Sequence, residues 1–176
     1  MELVVRRYDA PCGTLLLGSA GDRLCLCDWM HDGSPSRTSA RIFRNLKTVL
    51  TAGVSPATDR AAAQLDAYFA GRLRAFDVPM LFIGTPFQKV VWEALTSVAF
   101  GDTVSYASVA RRIGRPEAVR AVANAIGANP LSIIVPCHRV VGSDGSLTGY
   151  AGGLEAKRML LGFERSLCQD CCRRDR

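Results

Sequence analysis

Thr85-Pro86-Phe87-Gln88 opens the stretch that decides the fold. Thr at an N-cap, Pro at the first helical position and Gln at the third are the parts of a capping box. Phe87, Val91, Ala94, Leu95 and Val98 then recur at helical spacing, until Gly101-Asp102 breaks the pattern. Ser105 is placed to cap a second helix with Tyr106, Val109, Ala110 and Ile113 on its buried side, and Gly114 is placed to end it. Pro116 reads as the opening of a third helix that turns Val119, Val122 and Ile126 inward. Two short helices joined by a tight glycine-containing turn make a helix-turn-helix pattern. The outer face of the third helix carries Arg120, Ala121, Asn124, Gly127 and Ala128. Small residues around one arginine let a nucleic-acid backbone approach closely. A well-packed, Ala-rich helix pair with no such partner has the same pattern, so this segment alone leaves both readings open.

Downstream, the apolar run 131–135 lies between Pro130 and Pro136 and reads as a short buried strand or extended segment. Pro136-Cys137-His138-Arg139 follows, then Val140-Val141, a Ser143-Asp144-Gly145 turn and the flexible run Thr148-Gly149-Tyr150-Ala151-Gly152-Gly153. A last helix is expected with Ala156, Met159, Leu160 and Phe163 on its apolar side. Glu164 falls near that face, where a carboxylate needs a partner. Upstream, Leu3-Val4-Val5 and the runs 14–17 and 24–27 are short strands separated by Pro11, Gly13, Gly18 and Gly21-Asp22, which a three-strand meander accounts for. Helices are expected over 42–50 and 59–69, the second carrying Ala62, Leu65 and Phe69 on one face and ending at Gly71. The fold class is therefore α/β, with a scaffold domain over 1–80, a second domain over 84–165 and a polar, cysteine-containing tail over 166–176.

Apolar residues make up 48% of the 176-residue chain and charged residues 22%, the balance of a globular protein. No apolar run is long enough to span a bilayer, so no membrane role is expected. Arg6, Arg7 and Asp9 stand where a signal peptide would be apolar, and a cytoplasmic location follows as the expectation. The net charge is +6. Ten basic residues face eight acidic ones up to Gly84, and twelve face eight beyond it, an excess that favours polyanionic partners. Seven cysteines, an odd number at uneven spacing, argue against a disulfide framework. Cys12, Cys25, Cys27 and His31 could supply four metal ligands, and Cys168 with Cys171 and Cys172 has a zinc-like spacing without a second pair. Thiols with no metal are the reading adopted.

An ordinary cysteine with a pKa near 8.5 is only about 3% thiolate at neutral pH, so a reactive one needs a base or a positive environment. Cys137 is followed by His138 and Arg139 in a proline-stiffened segment. Neighbours on an extended strand point to opposite faces, so His138 would reach Cys137 through a water or a bend at Pro136, with Glu164 fixing the histidine tautomer. A small buried hydrophobe is the alternative for such a cysteine.

Pro136-Cys137-His138-Arg139-Val140 resembles the active-site signature of the O(6)-alkylguanine-DNA alkyltransferases, or methylated-DNA–protein-cysteine methyltransferases. Thr85-Pro86-Phe87-Gln88 with Val91-Trp92, Val104-Ser105-Tyr106, Ala118-Val119-Arg120-Ala121-Val122, Asn129-Pro130, the run 148–153, and Leu160-Leu161 with Glu164 match in order and spacing. The resemblance covers 84–164 strongly and the first 80 residues in outline. It implies a small N-terminal ribonuclease-H-like α/β domain and a C-terminal winged-helix-like helix-turn-helix domain. The implied function is direct reversal of DNA damage, a single irreversible transfer of the alkyl group of O6-alkylguanine to Cys137. The implied partner is double-stranded DNA, entered through the minor groove with the damaged base flipped out, by a monomer that needs no cofactor and no metal. Cys137, His138 and Glu164 would form the nucleophile and relay. Tyr106 would assist departure of the guanine, Arg120 would fill the vacated stack, and Asn129 would be a hinge. Ser105 and Ala121 would meet DNA, and Val140, Tyr150, Ala151 and Gly152 would line the base pocket. Ala151 stands where some relatives carry a hydroxyl, and Gly127 where some carry a basic residue. A lesion-binding module without chemistry and a Cys-His hydrolase are the rivals. The presence of Cys137 opposes the first, and the second leaves the helix-turn-helix without a purpose.

Overall fold

The computed structural model describes residues 2–46 and 49–174, a mixed α/β chain in two compact units. The first unit comprises Met1–Gly84 with Pro130–Ile134, the second Thr85–Asn129 with Val135–Arg176.

In the first unit, strands β1 (Glu2–Ala10), β2 (Gly13–Ala20) and β3 (Arg23–His31) form the antiparallel meander read from the turn residues. Strand β4 (Ser34–Pro35) continues from β3, and β5 (Val49–Ala52) pairs parallel to β1, giving the order β4-β3-β2-β1-β5. Strand β3 is buried from Leu24 to Trp29, so Cys25 and Cys27 are both core residues. Helix α1 (Arg37–Leu46) and helix α2 (Pro56–Phe69) belong to the same unit. Ser55 caps α2 in a capping box with Thr58, and Ala57, Ala61, Leu65 and Tyr68 are its buried residues.

Two expectations fail in this unit. The helix expected over 42–50 begins at Arg37 and ends at Leu46, Val49 and Leu50 belong to β5, and residues 47 and 48 lie outside the described part. The start is set by Asp28, a buried carboxylate on β3 that accepts hydrogen bonds from the hydroxyls of Ser36 and Ser39. Ser36 Oγ in turn accepts from the Thr38 and Ser39 amides. A cap assembled from a residue eight positions away leaves no local periodicity to read. The run 131–135 is also not a strand. Leu131 makes one bridge to Cys27, and the chain then folds into a γ-turn in which the Ile134 amide donates to Ser132 O at 2.9 Å around Ile133, at φ 71°.

The second unit contains α3 (Pro86–Leu95), β6 (Val104–Ser105), α4 (Tyr106–Arg112), α5 (Val119–Gly127), a 3-10 turn at Cys137–Arg139, β7 (Val140–Val141) and α6 (Gly153–Arg174). The Thr85–Gln88 capping box forms as the sequence indicates. Helix α5 starts at Val119 without a side-chain cap, and Pro116 lies in the turn before it rather than at its first position. Trp92 is fully buried and its Nε1 donates to Ala125 O at 2.8 Å, fastening α3 to α5. Trp92→Ala is expected to cost about 3–5 kcal/mol, read as a lower denaturant midpoint.

Helix α6 turns Ala156, Lys157, Leu160, Leu161 and Glu164 inward, while Met159, expected on that face, is 46% exposed. Counting Lys157 as a surface residue rotates the apparent apolar face by about one position. The helix continues through most of the segment that composition marks as a tail, and the Cys171 and Cys172 side chains lie outside the described part. No helix among the described residues is long and apolar enough to cross a membrane.

Candidate active site

Cys137 does not sit on an extended strand. Its amide donates to Val135 O at 2.7 Å and the Arg139 amide donates to Pro136 O at 3.0 Å, which winds Cys137–Arg139 into one 3-10 turn. The bend at Pro136 is what lets consecutive side chains both be buried. Cys137 is only 4% exposed, His138 and Glu164 not at all.

Asn129 follows directly on α5 and its last turn, and it is buried. Its Nδ2 donates to Val135 O at 3.0 Å and to Cys137 Sγ at 3.1 Å. Only an amide NH2 can face the Val135 carbonyl, so the same group necessarily faces the sulfur. A donor aimed at sulfur favours the thiolate over the thiol. Asn129 therefore ties the end of α5 to the cysteine rather than standing at the surface. Asn129→Ala is expected to lower stability by about 1–3 kcal/mol by stranding a buried carbonyl, and to slow reaction of Cys137 with a small alkylating probe; an unchanged alkylation rate would contradict this role.

His138 Nε2 lies 2.8 Å from Glu164 Oε1. Glu164 also accepts from Arg139 Nη2 on Oε1 and Arg139 Nε on Oε2, both at 2.9 Å, and from the Gly101 amide on Oε2 at 3.0 Å. Burial alone would raise the Glu164 carboxyl, but the hydrogen bonds and charges of His138 and Arg139 outweigh it and hold the group well below the usual carboxylate range. Burial pushes His138 below its ordinary value of 6.5, and the Arg139 and Lys157 charges push the same way against the pull of Glu164. With an ionised carboxylate at Nε2, the neutral ring carries its proton there and keeps its lone pair on Nδ1. Nδ1 is buried without a hydrogen-bond partner among the described residues.

These directions fix an acid response. Below about pH 6.5 the unfolded chain binds a proton on His138 that the folded chain refuses, so stability falls by up to about 1.4 kcal/mol per pH unit. Protonation of Glu164 in the unfolded chain extends the loss below its ordinary value of 4.5. Asp28, raised by burial, acts in the opposite sense but only in the carboxylate range. Urea midpoints are thus expected to fall between about pH 7 and pH 5 in the wild type and to stay flat there in His138→Asn.

Beside this cluster the second unit carries an open groove of about 1070 Å³. Tyr106, Arg120, Tyr150 and Ala151 line it, while Cys137 does not. Lys157 links the two. It is buried on α6, donates from Nζ to Thr148 O in the groove wall at 2.8 Å, and lies 6.0 Å from the Tyr150 ring centroid. Burial lowers its ammonium and the charge of Cys137 raises it, so the thiol is within electrostatic reach of the groove wall. Tyr106 Oη donates to the same Thr148 carbonyl at 3.3 Å.

The remaining positions are simply placed. Arg120 and Ala121 are exposed on α5. Ser105 caps α4 by accepting from the Ser108 amide, and Val140 is buried where β7 pairs with β6 opposite Val104. Gly152 is half-buried before α6. Among the described residues no group of three or more His, Cys, Asp or Glu side chains could hold a metal ion. Lys157 was missed in the sequence, although its positions relative to Leu161 and Glu164 put it on the buried stripe.

A family model for the 6-O-methylguanine DNA methyltransferase DNA binding domain matches residues 86–166. The methylated-DNA–protein-cysteine methyltransferase of Mycobacterium tuberculosis is 45% identical over 162 residues, 92% of each chain. That of Mycolicibacterium paratuberculosis is 52% identical over 167 residues, 91% of each. Among solved structures, the M. tuberculosis O6-methylguanine methyltransferase aligns with a TM-score of 0.79 at 41% identity, covering 93% of both chains. M. tuberculosis OGT in complex with DNA aligns at 0.78 and 40%, covering 95% of this chain and 94% of that one. With identity of this order running the length of the molecule, the chain belongs to the methylated-DNA–protein-cysteine methyltransferase family.

Proposed function

We propose that this protein repairs alkylated DNA by direct reversal, moving the alkyl group of O6-alkylguanine onto Cys137 once per molecule. The observation that carries the reading is the buried Cys137 sulfur held at 3.1 Å by Asn129, next in the chain to the buried His138 that pairs with Glu164. A merely buried cysteine needs neither an amide donor nor an ionised relay.

In this mechanism the Cys137 proton passes through a water to His138 Nδ1, and Glu164 stabilises the imidazolium that forms. The thiolate attacks the alkyl carbon in line. A sulfur–carbon bond forms, the bond from that carbon to guanine O6 breaks, and the electrons return to the base. Tyr106 donates a hydrogen bond to the departing guanine; the base takes up one proton from water and the His138 imidazolium returns one to water, so the net change is one proton moved from sulfur to the base. Lys157 keeps positive charge near the developing thiolate. The product is a thioether that water does not hydrolyse, which makes the reaction stoichiometric and independent of a cofactor.

The flipped base is held against Tyr150, Ala151, Gly152 and the backbone at Val140, of which Tyr150 and Ala151 also line the open groove. Helix α5 enters the minor groove, with Arg120 in the vacated stack, Ala121 permitting close approach, Ser105 presenting the start of α4, and Asn129 as the hinge. The first unit is a ribonuclease-H-like scaffold domain and the second a winged-helix-like DNA-binding and catalytic domain, acting as a monomer in the cytoplasm. Arg120→Ala is expected to slow repair of duplex DNA while sparing reaction with a free alkylated base, because only the duplex must be unstacked. Equal rates on both substrates would remove Arg120 from this role.

Mixing the protein with excess duplex containing O6-methylguanine tests the function. The expected record is one guanine restored per protein molecule and then none. Continued turnover would indicate a hydrolase, and binding without restoration a lesion-recognition module.

A further inference from the structure

Each of the three guanidinium nitrogens of Arg139 donates inside the fold. Its Nε and Nη2 form a fork on the two oxygens of Glu164, and Nη1 donates to Val98 O at 2.6 Å. Its guanidinium also lies 5.6 Å from the centroid of the Phe100 ring, and the residue is only 5% exposed. It cannot reach DNA from there, so its neighbours define what it does.

We propose that Arg139 is a positioning residue of the transfer reaction, whose charge balances Glu164 so that His138 stays a neutral base with the Nδ1 lone pair available. The inference rests on the reading of His138 as the base. Without a cation on Glu164, the cheapest way to neutralise a buried carboxylate is to protonate the imidazole that touches it. The ring would then carry protons on both nitrogens, and Nδ1 could no longer accept one. With Arg139 in place the carboxylate is satisfied by the fork and by the Gly101 amide, and it asks only a hydrogen bond of Nε2. The charged groups acting on His138 are Glu164 and Lys157 from α6, and Arg139 from its own turn. The segment 98–101 presents Val98 O, the Phe100 ring and the Gly101 amide. Of these, Arg139 and Lys157 both oppose a second proton on the ring, in line with its depressed basicity.

The chain has two histidines, His31 and His138, so long-range proton–nitrogen NMR correlations resolve their ring states directly. In the wild type, His138 is expected as the neutral Nε2–H tautomer at neutral pH, and to hold that state below its ordinary value of 6.5. In Arg139→Gln the ring is expected to become imidazolium near neutrality. Transfer from a free alkylguanine base should fall on the order of 100-fold at about pH 7, with the deficit shrinking as pH rises. Arg139→Lys, which keeps the charge and loses the fork, should restore the neutral ring. A His138 that titrates alike in wild type and Arg139→Gln overturns the proposal. Should the glutamine variant not fold, imidazolium in the wild type or in Arg139→Lys at neutral pH overturns it equally. The expected spectra with no alkyl transfer in the wild type would support the charge assignment of Arg139 and refute the reaction.

Discussion

Cys137→Ala is expected to abolish alkyl transfer and to leave DNA affinity unchanged. Cys137 contributes one buried sulfur, and the groove that carries Tyr106 and Arg120 does not include it among its lining residues. Asn129 keeps its bond to Val135 O when the sulfur is removed, so the turn is retained and the stability cost is about 1 kcal/mol. Cys137→Ser should be equally inactive, because an ordinary hydroxyl is not ionised by a histidine relay to the extent that a thiol is. Neither Cys12 nor Cys25 takes over. Burial pushes the Cys25 thiol up to about 12 and the Cys12 thiol up to about 11, so both stay protonated at neutral pH. Transfer to the Cys137→Ala protein, measured with radiolabelled alkylated duplex, should be at background, and label recovered on Cys12 or Cys25 would contradict the assignment.

Glu164→Ala is expected to damage the fold of the second unit about as severely as Trp92→Ala, and the reaction with it. It removes the acceptor shared by Arg139, His138 and the Gly101 amide, and leaves a guanidinium with 6% side-chain exposure opposite an empty volume. Breaking a buried ion pair from one side costs about 3–5 kcal/mol, a large fraction of the stability of a small domain. The relay is lost with it, so transfer should fall on the order of 100-fold or more even where the protein is still folded. Glu164→Gln should fare better in stability, since Oε1 can still accept, yet it lacks the charge that stabilises imidazolium. Denaturant midpoints and single-turnover rates on the same preparations separate the two effects. An alanine variant within about 1 kcal/mol of wild type would mean that the pair adds little.

Much of the second unit could be read from the sequence because its signals are local. The Thr85–Gln88 capping box, the stripe ending at Val98, and the Gly114 turn at φ 71° are each made by residues a few positions apart. The same holds for the meander of the first unit, whose glycines mark the hairpins. What escaped was long-range. Asp28 starts α1 through Ser36 and Ser39, and no window around Arg37 reports it. Strand β5 exists because β1 offers it an edge, and the local pattern of residues 49 and 50 alone continues the preceding helix.

At the site, Cys137, His138 and Glu164 were nameable because the motif and the helix register both pointed to them. Their connection was not. An extended chain would turn one of Cys137 and His138 outward, and the 3-10 turn after Pro136 buries both. The burial of Lys157, and the partners of Arg139, which the sequence marks only as part of the signature, are illegible for one physical reason. A charged side chain reads as surface until its buried partners are known, here Thr148 O for the first and Glu164 with Val98 O for the second. Pairing makes burial of such groups possible, and pairs distant in sequence are invisible to periodicity.

The central claim is that Cys137 is the acceptor of a single alkyl group. Incubation with excess duplex carrying O6-methylguanine, followed by peptide mass spectrometry, tests it most directly. One methyl group per molecule is expected, confined to the peptide that contains Cys137, with no further gain on longer incubation. A methyl group on any other residue, or repaired DNA beside an unmodified Cys137, would contradict it.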